Sequence, residues 1–244
     1  MWLAISISVA VGLVAGRGIV AETSAHRRGL PDNWLHPECE ECGGALSVSM
    51  VHCTTNQHRQ RWISWGIPIM SAIVFGMVGA TVPALAVLPA YLVFAGTMVT
   101  LTVTDLQTKL IPNRILGPGT LAGAVLLVAG GLITQDFSAI GRAGVGGAAY
   151  FGMLFALALV GRGALGFGDV KMSFIIGIFT GYISLGYVVI AGVGAFIVAG
   201  VVAVVLIVTR RSTRKDMIPF GPFMTSAAII AIVFGQQILD WYGR

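Results

Sequence analysis

Residues 66–104 read GIPIMSAIVFGMVGATVPALAVLPAYLVFAGTMVTLTVT, 39 positions without a charged side chain, and the next residue is Asp105. One helix of that length would rise about 58 Å, nearly twice the roughly 30 Å of a bilayer core, so the run predicts two membrane-crossing helices. Pro83 and Pro89 suit the turn between them. Met172 to Thr209 is also free of charge and predicts a second hairpin, with Gly177, Gly181 and Gly186 available where the chain reverses. Between Arg114 and Arg162 the apolar run is broken near its middle by Gln135, Asp136 and Arg142, which places the tip of a third hairpin there. A first helix within residues 1–20 and a last one from Phe220 to about Leu239 complete the set. Arg17 follows the first apolar run and no basic residue precedes it, so that run reads as a retained helix and not a cleaved secretory signal.

The expected fold is therefore all-α, a polytopic membrane protein with about eight transmembrane helices and a small cytoplasmic polar segment. The expected organisation is a first transmembrane helix over residues 1–20, a cysteine-containing segment over 21–64 and a seven-helix domain over 65–244. Composition agrees, since 56% of the 244 residues are hydrophobic and only 10% are charged, far from the balance of a soluble domain. The net charge of +5 does not point to nucleic acid, because the basic residues recur at the ends of apolar runs instead of forming a stripe. With the 21–64 segment inside the cell, only Arg142 and Arg244 of the 15 basic residues lie outside. The chain termini then both fall outside the cell membrane.

That topology brings Asp105, at the end of the third crossing, and Asp169, at the start of the sixth, to the same depth at the cytoplasmic face. Ionisable groups at membrane depth are costly and mark functional sites. Two carboxyls held together share one proton because both cannot ionise cheaply, which supplies a general base and a general acid from one residue type. Plainer readings stay open: Asp105 as the ion-pair partner of Lys109, four residues on, and Asp169 paired with Lys171. Gly166 and Gly168 would let a substrate backbone approach the acid, although glycines also serve helix packing.

Three segments carry a resemblance. Thr104-Asp105-Leu106-Gln107-Thr108-Lys109-Leu110-Ile111-Pro112-Asn113, Gly166-Phe167-Gly168-Asp169-Val170-Lys171 and Ile218-Pro219-Phe220-Gly221-Pro222 occur in this order. Over roughly residues 66–239 the chain resembles the type IV prepilin peptidase family of Gly-X-Gly-Asp membrane aspartic proteases. The resemblance implies an aspartic endopeptidase with Asp105 and Asp169 as its catalytic pair, Gly166 and Gly168 at the substrate approach, and no cofactor for the peptidase chemistry. It implies that the partners are type IV pilin-like precursors, whose leaders are removed at the cytoplasmic face of the inner membrane. The Ile218–Pro222 segment reads as a helix entry, to which no chemistry is assigned; Pro112-Asn113 reads as the start of a helix.

Cys39, Cys42 and Cys53 cluster in the polar segment as three parts of a four-cysteine zinc site, with Asn56 where a fourth cysteine would stand. His52, His58 or His36 would have to complete a candidate zinc site; the other reading is unmetallated thiols. Many bifunctional members of the resembled family also methylate the new N-terminus with S-adenosylmethionine through this region. Here the segment is short and the fourth cysteine is missing, which counts against methylation, and no methyltransferase residue is carried across. Two other function classes compete with the peptidase. One is a proton-coupled transporter, which would want an acid near mid-span, and the other is a noncatalytic family member acting in pilus or secretion assembly.

Overall fold

The computed structural model describes residues 2–28, 62–82, 84–161, 165–209 and 218–243, and among these every regular element is an α-helix. In chain order they are α1 (Trp2–Arg28), α2 (Trp62–Thr81), α3 (Leu88–Thr108), α4 (Asn113–Ile133), α5 (Phe137–Val160), α6 (Phe167–Ile183), α7 (Leu185–Val208) and α8 (Gly221–Tyr242). Five of them, α3, α4, α5, α7 and α8, are each long and apolar enough to cross a bilayer, as expected of a multi-pass membrane protein. α6 has 17 residues, and the apolar parts of the first two helices, Ala4–Ile19 and Gly66–Thr81, are likewise shorter. The first helix runs past residue 20 to Arg28, and the chain meets no proline before Pro31. Cys39, Cys42, Cys53, His36, His52 and His58 lie outside the described residues.

The chain forms two compact units, Met1–Ala80 and Thr81–Arg244. In the first, α1 and α2 run antiparallel with small residues at the contact: a Cβ on Gly16 would stand 2.5 Å from Pro68 Cα, and one on Gly12 2.8 Å from Ala72 Cα. The backbones thus approach closely, as small residues allow in membrane helix pairs.

In the second unit α3 is the central helix. Its apolar window is 78% buried, against 22% for α7, and Tyr91, Phe94, Met98 and Leu101 are wholly enclosed. On α7 the large side chains Val189, Val193, Ile197, Val201 and Val204 are exposed, a surface that suits hydrocarbon and not water. α3 is tied to α6 by the Tyr91 hydroxyl, which donates to Phe179 O at 2.8 Å, and by the stacked rings of Phe94 and Phe179 with centroids 4.5 Å apart. α3 is tied to α8 by the Thr102 hydroxyl donating to Thr225 at 2.9 Å.

Gly177 and Gly181 do not form a turn. They lie inside α6, where a Cβ on Gly146 of α5 would stand 2.5 Å from Gly177 O and 2.9 Å from Gly181 Cα. The chain reverses instead at Ser184, an extended residue whose hydroxyl accepts from Gly186 N. Pro89 is likewise inside a helix, in the first turn of α3, where its missing N–H leaves no bond unmade. The third hairpin does turn where the polar residues break the run. Asp136 caps α5 by accepting from Ala139 N at 2.9 Å, and Arg142 donates to the Tyr182 carbonyl near the end of α6.

The bond from Ala139 N–H, followed by that from the Ser138 hydroxyl, holds the Asp136 carboxyl below its ordinary range. A carboxyl lowered in the folded state stabilises the protein above the unfolded-state pKa and ceases to do so as the pH falls through the folded one. Asp136→Ala should therefore melt below the wild type at neutral pH, and the gap should close in acid. Thermal unfolding of both proteins across that pH range checks it.

Candidate active site

Asp105 lies in the last turn of α3 and Asp169 in the first turn of α6. They are buried, at 4% and 9% exposure, and close enough for the charge of Asp105 to act on Asp169. The convergence follows from local structure. α3 stops after Asp105 because Lys109 turns left-handed, with φ 55° and ψ 31°, its N–H closing on Asp105 O at 2.8 Å. The chain then crosses to Pro112, whose extended backbone caps α4.

α6 begins at Gly166, again extended, and the Asp169 N–H donates to Gly166 O at 3.0 Å. Asp169 thereby sits where a helix N-terminus favours negative charge. The two glycines before it admit different neighbours. A Cβ on Gly166 would stand 3.1 Å from the Asp169 carboxyl oxygen, whereas one on Gly168 would stand 2.9 Å from Ile111 Cβ. The neighbour that Gly168 admits in this structure is thus Ile111, from the loop after α3.

Asp105 has the less favourable position, at the negative end of its own helix. The start of α8 answers it. The Gly221 N–H donates to Asp105 Oδ2 at 3.0 Å, across 116 positions of chain. A Cβ on Gly221 would stand 2.7 Å from the same oxygen, so only glycine leaves room for this contact. The segment read as a plain helix entry is therefore part of the site. Its signal was the Gly-Pro pair opening an apolar helix, where free N–H groups point at an anion.

Lys171 turns elsewhere. Lys171 Nζ donates to Asn113 Oδ1 at 3.0 Å and lies over the Phe167 ring, 5.0 Å from its centroid, so it does not serve as the ion-pair partner of Asp169. Asn113 is the first residue of α4, and it joins α4 to α6. Next to this bond a cavity of about 600 Å³ opens among α4, α5 and α6, lined by Leu116, Gly117, Leu121, Phe151 and Phe174. Its lining is mainly apolar, with Asn113, Thr120 and Lys171 as the polar members.

The sequence of this helical unit has known relatives. Residues 92–208, from α3 to the end of α7, match the type IV leader peptidase family. The prepilin leader peptidase/N-methyltransferase of Aeromonas hydrophila is 30% identical over 217 residues, covering 86% of this chain and 66% of the relative. Proteins of the same description from Bacillus subtilis (strain 168) and Pseudomonas putida are 28% and 25% identical, over 78% and 84% of this chain. The chain belongs to the type IV leader peptidase family. It spans about 66% of the length of the Aeromonas hydrophila protein and 73% of the Bacillus subtilis one. No solved structure matches the chain.

Gly221→Ala should destabilise the protein by about 1–3 kcal/mol, the usual cost of overpacking. Most of that loss should disappear in the Asp105→Ala background, where the crowded oxygen is gone. A double-mutant cycle of thermal unfolding in detergent measures the coupling, and additive losses would contradict the contact.

Proposed function

We propose that this protein is an aspartic endopeptidase that removes the leader of type IV pilin-like precursors at the cytoplasmic face of the inner membrane, with Asp105 and Asp169 as its catalytic pair. The observation that carries the reading is the pairing of two buried carboxylates, within electrostatic reach of each other, at one end of a membrane helix unit. The family membership and the description of the relatives as prepilin leader peptidases support the substrate class.

In the proposed reaction the ionised aspartate takes a proton from a water molecule as its oxygen attacks the scissile carbonyl carbon. The protonated aspartate gives its proton to the carbonyl oxygen. Collapse of the tetrahedral intermediate breaks the C–N bond, and the leaving amine takes a proton from the dyad. Which aspartate starts as base is a property of the pair and not of either residue. No cofactor enters this chemistry.

Eight crossings with both ends of the chain outside the cell complete the proposal, and the distribution of basic residues supports it. Lys109, Arg114 and Lys171 flank the end that carries the aspartates, whereas Arg142 lies at the opposite end of α5. A catalytic pair at the interface suits a substrate whose apolar helix stays in lipid while its leader stays in water. The apolar cavity beside the first turn of α6 is of a size to take several side chains of such a helix. A zinc ion on Cys39, Cys42 and Cys53 is a separate proposal, which metal analysis of the purified protein tests.

Asp105→Asn and Asp169→Asn should each abolish cleavage of a co-expressed pilin-like precursor, read as a mobility shift, while leaving the melting temperature of the purified protein within a few degrees of the wild type. Normal processing by either variant would refute the dyad.

A further inference from the structure

The turn of α6 that carries Asp169 lacks the usual means of holding a helix start in place. Its N-cap, Gly166, has no side chain to offer the free N–H groups, and Gly168 within the turn adds backbone freedom. The hydrogen bond and the stacked rings that tie α3 to α6 both fall on Phe179, about 15 Å along the helix from Asp169 at the usual rise. A first turn with no side-chain cap and a glycine inside it is the part of a helix that frays most readily.

Two contacts supply what the cap does not, and they bracket Asp169. On one side Gly168 receives Ile111 against its backbone, where a Cβ would stand 2.9 Å from Ile111 Cβ. On the other, Lys171 Nζ donates to Asn113 Oδ1 at 3.0 Å, with the Phe167 ring centroid 5.0 Å from the ammonium to steady it. Ile111 and Asn113 belong to the short stretch between the left-handed end of α3 and the first residue of α4. Lys109 fixes that stretch to the turn of Asp105, since its N–H closes on Asp105 O at 2.8 Å. The path from one aspartate to the other thus runs through bonded or touching groups at every step.

We propose that Lys171 and Asn113 are positioning residues of the aspartate pair: their bond, with the Ile111–Gly168 contact beside it, latches the first turn of α6 to the segment leaving Asp105. Both act through the setting of Asp169 and not on the substrate. The bond lies at an exposed position, where such a pair contributes little to global stability, so its effect falls on local geometry. The latch itself needs only these side chains; its consequence for turnover rests on the peptidase reading above.

The test is Asn113→Ala in the purified full-length protein. Asn113 stands inside α4, whose cap is Pro112, so alanine removes the acceptor without removing a cap. Hydrogen exchange of a peptide spanning residues 165–172, read by mass spectrometry, should speed up several-fold, with the melting temperature within a few degrees of the wild type. On a pilin-like precursor kcat should fall about ten- to a hundredfold at unchanged KM. Lys171→Met should lower kcat to the same extent, and the double variant no further. Asn113→Asp, which keeps an oxygen for Lys171, should restore both slow exchange and turnover. Unchanged exchange in Asn113→Ala overturns the latch, whatever the kcat. Faster exchange with a normal kcat overturns the positioning role, as does a fall in kcat matched by a collapse of the melting temperature. A raised KM in place of a lowered kcat overturns it as well, and makes Asn113 a substrate contact in the cavity it lines. If the wild type cleaves no precursor, the peptidase reading falls while the exchange result still decides the latch, so the two failures are separable.

Discussion

The bond from the Gly221 N–H to Asp105 is the interaction on which the arrangement of the site depends. A carboxylate with 4% exposure at the C-terminal end of its own helix has burial and the helix dipole both against its charge. It is held there because the N-terminus of another helix, α8, is brought against it with its first N–H free to donate. The contact demands glycine at position 221, and it demands that α8 be fixed in height along α3. The bond between Thr102 and Thr225 one turn further along serves that second need, as does the packing of α7 on α8, where a Cβ on Gly235 would stand 2.6 Å from the Tyr187 ring.

Asp169 is placed by a different set of contacts. α6 is gripped between α5 and α3, by close backbone approach at Gly146 and Gly177 on one side and by Tyr91 and the Phe94 ring on the other. Its first turn is then anchored to α4 through Lys171 and Asn113. The two carboxylates thus come within electrostatic reach from independently supported helices. Such a rigid frame is what acid–base chemistry by a pair of groups requires, since both must keep their geometry as charge moves.

The helices were legible because a charge-free run longer than a bilayer has few alternatives, and the breaks at Gln135 and Asp136 are polar residues that cannot stay in hydrocarbon. Glycine was less legible. Gly177 and Gly181 read equally well as turn formers and as flat surfaces for a neighbouring helix, and the local sequence around them is the same in both cases. Pro89 has the same ambiguity, since proline is as much at home in a first helical turn as in a loop. The polar segment bearing the three cysteines falls outside the described residues.

Transfer of each side chain between water and hydrocarbon is a local quantity that sums along the chain, so the amino-acid order alone determined where the helices run and that Asp105 and Asp169 stand at helix ends. The partner of the Asp105 carboxylate comes from a remote stretch, since Gly221 lies 116 positions away in the chain. Which N–H or hydroxyl a buried acid meets depends on helix rotation and height, set by the packing of many side chains at once. Only the tertiary structure decided that.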